Sequence, residues 1–315
     1  MIKEMTLTNI NTQASIILDD GTKSVYVLDS IDWDAPSVSL STYRVPRQVG
    51  ESFSSMVVGS RNPTIIGYVV ADVTSIEAKT WDEYYNKQLE QIEENKLVLD
   101  KLINIYYDIL IEANGYKLYC RPVSPVKYAN TETDNNEVVC MFQVELKCFE
   151  PMFVGNKNTI GLTEIAGMFH FPFHSTATEK LVFGHVKQKG NIVIENNSDI
   201  DSGCVIIIRA VAGVLVDPVV NNITSGEYIG LEGVTIPYGD YVEINTNTGE
   251  EEVVHHQVSQ GGVKKSLVGN LTAGSTFFKV NQGAGIYGFT MDEQYRNNAE
   301  VVIEFEEKFF NIRGM

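Results

Sequence analysis

Apolar positions along the first 75 residues alternate with polar ones or gather in short β-branched runs. Ser15-Ile16-Ile17-Leu18 leads into Asp19-Asp20-Gly21, a turn signal, and Val25-Tyr26-Val27-Leu28 follows. That order predicts a hairpin over 15–28. Arg61-Asn62-Pro63 then introduces Thr64-Ile65-Ile66-Gly67-Tyr68-Val69-Val70, a further strand. The period changes between Ser75 and Leu102. Leu89, Ile92, Leu99 and Leu102 recur near 3.6 spacing, and Glu90, Gln91, Glu93, Glu94, Asn95 and Lys96 fill the other side. This is the one long amphipathic helix the pattern predicts, with one face laid on a sheet.

Strand pattern resumes with Tyr106-Tyr107-Asp108-Ile109-Leu110-Ile111, then Asn114-Gly115, then Tyr116-Lys117-Leu118-Tyr119-Cys120. Asn-Gly between two such runs predicts a tight hairpin, because both residues tolerate positive φ. Residues 129–137 read as a polar loop, and Val138 to Phe149 as a strand stopped by Glu150-Pro151. Residues 155–190 keep no period. From Gly190 onward short β runs return, separated by Gly, Asn and Pro: Ile192-Val193-Ile194, Val205 to Ile208, Tyr228 to Leu231, Tyr241 to Ile244, Phe277 to Val280 and Val301 to Phe305. Such punctuation predicts an antiparallel sandwich. The chain is therefore expected to be mainly β, with an N-terminal β-rich domain (1–155) carrying the helix, a connecting segment (156–189) and a C-terminal sandwich (190–315).

Composition narrows the function. The 315 residues hold 24 Lys+Arg against 41 Asp+Glu, a net charge of −17. A sequence-independent nucleic-acid binder needs cations to displace counterions from phosphate, and an anionic membrane surface asks for the same. The acid is even: 13 basic and 22 acidic side chains precede residue 156, and 11 and 19 follow. It reads as solubility and self-repulsion. No run of 18 apolar residues occurs, and the first residues lack the apolar core of a signal peptide, so membrane insertion is not expected. Cys120, Cys140, Cys148 and Cys204 show no C-x-x-C spacing; free, mostly buried thiols are the expectation.

Chemistry-bearing patterns are few. Gly283-Ala284-Gly285-Ile286-Tyr287-Gly288 spells G-x-G-x-x-G, but no βαβ unit surrounds it, and a glycine-rich loop between strands is expected. His170 and His174 are split by Pro172, which breaks helical ligand geometry. His255 and His256 are adjacent, so a strand would point them to opposite faces. Asn197, Asp199 and Asp201 mimic the start of a calcium loop, but Ser202 and Ile208 stand where Gly and Glu are needed. No cofactor, metal or catalytic residue is assigned, and the chain reads as a structural or binding protein, not an enzyme. A lectin-like use of the sandwich would rest on tyrosines such as Tyr228 and Tyr241, since the only tryptophans, Trp33 and Trp81, lie in the N-terminal half.

The order of these features resembles the distal tail protein (Dit) family of long-tailed phages, also called the siphovirus tail component family. In the N-terminal half the resemblance rests on Arg61…Ile65-Ile66-Gly67 before the helix, on the Asn114-Gly115 hairpin ending in Tyr119-Cys120-Arg121-Pro122, and on Phe142 to Phe153 with its Glu150-Pro151. In the C-terminal half it rests on Gly190 to Asn196, Pro218 to Ile229, Gly239 to Thr246 and the closing Phe309-Phe310-Asn311-Ile312. The family commonly has Asp where Asn245 stands. Its first sandwich turn carries Gly where this chain has Ser198, and Asn-Ser can make that turn through side-chain hydrogen bonds.

The resemblance implies a galectin-like C-terminal sandwich and an N-terminal domain that forms a homohexameric ring at the virion tail tip. The implied partners are further copies of the chain, the major tail tube protein and the tail-tip hub with its tail-associated lysin. The tape measure and receptor-binding proteins complete that set. DNA would pass through the bore without specific binding. Synthesis would be in the bacterial host cytoplasm. Ring closure would cover strand edges and helix faces, so the residues expected at ring contacts are Ile16, Leu18, Leu89, Ile92, Glu93 and Leu99. The alternative is a carbohydrate-binding host-recognition module, with Tyr228 and Tyr241 as its contacts.

Overall fold

The structure, a computed structural model, describes residues 3–129, 132–134, 137–167, 184–188 and 190–312. It is mainly β, with antiparallel sheets and one α-helix among the described residues. The chain forms two compact units: Met1–Gly155 with Phe309–Met315, and Asn156–Lys308.

Unit 1 contains β1 (Met5–Asn9), β2 (Ser15–Leu18), β3 (Tyr26–Asp32), β4 (Val38–Tyr43), β5 (Ser52–Val58), β6 (Thr64–Val70), α1 (Trp81–Leu102), β7 (Ile109–Ala113), β8 (Tyr116–Pro122), β9 (Lys127–Tyr128), β10 (Glu132–Asp134) and β11 (Glu137–Lys147). β12 (Phe153–Gly161) begins here, with Val154 opposite Lys117. One run of strands is β2-β1-β7-β8; a second is β3-β6-β11, which meets β8 where Leu146 faces Pro122. The Asn114-Gly115 turn forms as expected. Both residues have positive φ (50° and 80°) and Ala113 pairs with Tyr116.

The helix starts where Thr80 caps it, its hydroxyl accepting from the Glu83 amide at 3.2 Å. Asp82 and Glu83 in the first turn and Lys101 in the last suit the helix dipole. Its buried face, Gln88, Ile92, Leu99 and Leu102, lies over β6 and β11. Three hydrogen bonds fix it there: Tyr26 Oη to the Asn95 carbonyl (3.0 Å), Asn95 Nδ2 to the Val70 carbonyl (3.1 Å) and Tyr128 Oη to the Lys96 carbonyl (3.2 Å).

Two expectations are corrected in this unit. Residues 15–28 do not make a hairpin: β2 pairs with β1, and β3 pairs with β6. The Asp19 carboxylate accepts from the Gly21 and Lys23 amides at 2.9 and 2.8 Å, so it shapes a wider crossing loop in place of a tight turn. Nor are all four thiols free. Cys120 and Cys148 form a disulfide, while Cys140 and Cys204 are free and buried. The partners lie beside adjacent strands, one residue pair beyond Lys147 opposite Arg121. No sequence spacing announces a bond between residues that only the pairing of β8 and β11 makes neighbours.

Unit 2 holds the paired strands β13 (Thr163–Gly167) and β14 (Gly184–Gln188), so part of the expected connecting segment is sheet. Next come β15 (Ile192–Asn196), β16 (Cys204–Ala210), β17 (Leu215–Val216), β18 (Val219–Asn222), β19 (Glu227–Gly230), β20 (Thr235–Ile236), β21 (Tyr241–Asn245), β22 (Glu252–Gln257), β23 (Val263–Ser266), β24 (Gly283–Thr290) and β25 (Ala299–Phe309). One sheet runs β25-β16-β21-β22-β23, the other β15-β24-β18-β19. Ile206, Ile208, Val242, Ile244 and Ile303 from the first share one core with Ile194, Val220, Tyr287 and Phe289 from the second.

The G-x-G-x-x-G run is not a loop but the body of β24. A Cβ on Gly285 would lie 2.7 Å from the Tyr287 ring, so glycine there makes room for a buried tyrosine. Phe277 to Val280, read as a strand, forms only one bridge, Val280 to Ser202, although Phe278 and Val280 are buried. Ser198 has no left-handed backbone. Its hydroxyl contacts Asn196 Oδ1 (2.5 Å) and Ser202 Oγ (3.0 Å) and accepts from the Lys308 amide (2.9 Å), so the turn is held by side chains, as the Asn-Ser pair suggested.

Candidate assembly surfaces

Among the described residues no three His, Cys, Asp or Glu side chains gather to hold a metal ion. The calcium-like run disperses: Asn197 Nδ2 donates to Glu307 (3.2 Å), and Asp201 accepts from the Gln282 amide (2.7 Å). His170 and His174 lie outside the described residues. His255 and His256 do face opposite ways. His255 is buried with its Nε2 3.3 Å from the Asp240 carboxylate, and His256 stacks on Tyr241. Burial holds the His255 imidazole below its ordinary value against the pull of Asp240. No described helix is long and apolar enough to cross a membrane.

Unit 1 presents its chemistry as surface. β4 and β5 pair only with each other and form a hairpin arm. Its apolar side chains face outward: Leu40, Phe53 and Val57 are each 63% exposed and Val49 is fully exposed. A free two-stranded ribbon is marginal in water, and exposed apolar side chains on both of its faces make it a candidate interface. The arm is nonetheless shaped by its own bonds. Val45 donates to Gln48 Oε1 (3.1 Å), Gln48 Nε2 to Ser52 Oγ (2.7 Å), Arg44 Nε to the Gly50 carbonyl (3.1 Å) and Thr42 Oγ1 to Glu51 (2.7 Å). Arg44 to Gln48 line a shallow open depression at the tip, and no carboxylate among the described residues forms an ion pair with Arg44 or Arg47.

The outer face of α1 is the second such surface. Leu97 (59% exposed) and Val98 (49%) sit among the exposed Glu90, Glu93, Glu94 and Asp100. The residues expected at ring contacts divide sharply. Ile16, Leu18, Ile92 and Leu99 are buried in the core of unit 1 and Leu89 packs against it. They carry the helix and the β2 edge from behind. Glu93 alone of the six is exposed, paired with Lys96 at 2.7 Å. The arm was not foreseen. Its strands lack strict alternation because neither face is buried, and only Pro46 and Gly50 near the tip mark a turn.

Unit 1 also holds a fully buried cation. Arg61 sits 4.4 Å over the Phe153 ring, which Trp33 meets edge-on at 5.1 Å, and donates to the Phe310 carbonyl. Burial pushes its guanidinium below its ordinary value. The arginine that opens the β6 motif thus ties the segment after β25 into unit 1.

On unit 2 the two tyrosines are engaged. Tyr241 stacks on His256 with ring centroids 4.3 Å apart and has Arg209 5.9 Å from its ring. Tyr228 donates to the Ala273 carbonyl at 2.7 Å.

No protein-family model and no curated protein sequence matches the chain. Solved structures do. The SPP1 Dit protein (gp 19.1), described as a paradigm of the hub adsorption apparatus in Gram-positive-infecting phages, matches with a TM-score of 0.58 at 10% identity, over 97% of this chain and 99% of its own. Chains of the phage P2 baseplate match at 9% identity over 99% of this chain and 100% of theirs, with a TM-score of 0.46 in the activated conformation with Ca and 0.43 with Sr. The fold likeness thus points to one class of protein, the phage Dit proteins. In particular it is the fold of SPP1 Dit, from end to end.

Proposed function

We propose that the chain is a structural component of a phage tail tip: a homohexameric ring adaptor that joins the tail tube to the tail-tip hub and receptor-binding apparatus. The observation that carries this reading is the whole-length likeness in fold to SPP1 Dit. A hairpin arm that no other described strand pairs with and whose apolar side chains stay exposed supports it. In this reading unit 1 builds the ring, unit 2 is a galectin-like sandwich directed outward, and DNA leaves through the bore. A net charge of −17 suits a passage that must not hold phosphates. The adaptor has no catalytic role, and its place is the virion.

The test is the native mass of the purified chain, with negative-stain images of the same fractions. Six-subunit rings with a central hole are expected, alone or after addition of the tail tube protein. A chain that stays monomeric with both tube and hub proteins present would defeat the reading.

A further inference from the structure

We infer that the β4–β5 arm of one copy docks on the outer face of α1 in a second copy. This inference rests on the ring reading and names the two halves of its contact.

The arm cannot be self-sufficient. Neither of its strands pairs with the rest of unit 1, and Leu40, Phe53, Met56 and Val57 stay in solvent. It is preformed all the same, since its tip is closed by Gln48 and Arg44 bonds. A preformed apolar element loses little conformational freedom on docking. Charge then selects the surface that receives it. The tip carries Arg44 and Arg47 on a chain with an excess of 17 negative charges. On α1, Leu97 and Val98 form an exposed apolar centre flanked by Glu90 and Glu94, which make no ion pair among the described residues, and by Glu93. An apolar ribbon with a cationic tip is complementary to an apolar centre whose rim carries three glutamates against Lys101.

The two halves are different surfaces of one chain. A contact between them is heterologous: every copy offers an arm and receives one, which closes into a ring when the rotation permits. A helix whose opposite face, with Ile92 and Leu99, is anchored in the core is also a rigid receiver. The charged part of the contact lies at its rim, so added salt should weaken assembly.

A charge swap tests this in the full chain. Arg44→Glu/Arg47→Glu should lower the ring fraction at least tenfold near the wild-type assembly midpoint, with the monomer's circular dichroism unchanged. Glu90→Lys/Glu93→Lys/Glu94→Lys should do the same. Mixing the two variants should restore hetero-assembled pairs, because each supplies the partner the other lacks. As a second measurement, an Arg47→Cys chain mixed with a Glu94→Cys chain should form a cross-link absent from either chain alone.

Rings that form unchanged in the arginine variant, or rings without that cross-link, would overturn the inference and leave the ring reading standing. Rings that form normally but no longer bind the tail tube protein would overturn it too, by assigning the arm to that partner. A wild-type chain that never assembles would defeat both.

Discussion

Replacing Cys120 and Cys148 with alanine should unfold unit 1 well below the wild-type temperature, and the size of the effect follows from chain connectivity. The disulfide closes a loop of sequence separation 28. In the chain-entropy account a loop of that length removes about 3.6 kcal/mol from the free energy of unfolding when it is opened. For a unit of about 160 residues, an unfolding entropy near 2.1 cal/mol/K per residue converts this into a drop of about 10 °C. The assay is built into the molecule: Trp33 and Trp81 are the only tryptophans, and both belong to unit 1. Their fluorescence therefore reports this unit alone, and Trp33, edge-on to Phe153, reports its core. The wild type offers a control without mutation. Both cysteines are buried, so reduction should need unfolding, and protein refolded in excess dithiothreitol should melt with the alanine variant. A shift below about 3 °C in both experiments would refute the reasoning, by showing that the reduced denatured state is already restricted around this loop.

Three further outcomes are expected. Gly67→Ala should cost unit 1 about 1–3 kcal/mol in urea unfolding, because its Cβ would press on the Val27 carbonyl and lie 2.7 Å from Phe142 Cζ, in a strand paired on both sides. Ser198→Ala should cost unit 2 about 1–3 kcal/mol through the loss of the hydroxyl's buried contacts with Asn196 Oδ1, Ser202 Oγ and the Lys308 amide, measured by the circular dichroism transition. Stability of unit 2 should fall as the pH drops below about 6.5, because the depressed His255 value means the unfolded chain takes up the proton first; His255→Gln should flatten that slope between about pH 7 and 5.

The elements with a local cause were legible. The Asn114-Gly115 turn needs two positive φ values and has the residues for them, and α1 shows its buried stripe at 3.6 spacing. The ladder of short strands in unit 2 followed from Gly, Asn and Pro punctuation. What escaped depended on distant neighbours. Asp19-Asp20-Gly21 is sound turn chemistry, yet whether β2 pairs with β3 or β1 is decided by which sheet buries Ile16 and Leu18. The disulfide exists because β8 and β11 adjoin, and Gly285 of β24 answers to Tyr287. The candidate assembly surfaces were half visible. Periodicity identified the helix but also drew attention to its apolar stripe, which lies in the core of unit 1. The arm has no period because it has no inside.

Unit 2 is spliced into unit 1: the chain leaves unit 1 at Gly155 and returns to it at Phe309. Phe309 and Ile312 then enter the unit 1 core, and Phe309 meets Tyr116 edge-on at 5.5 Å. During synthesis, the unit that carries the arm and the helix cannot be finished until the whole inserted unit has emerged from the ribosome. Chains interrupted anywhere before Phe309 lack part of that core and its Arg61 tether. In the proposed ring this topology would act as a proofreading step, since aborted products would lack a finished copy of the unit that builds the contacts.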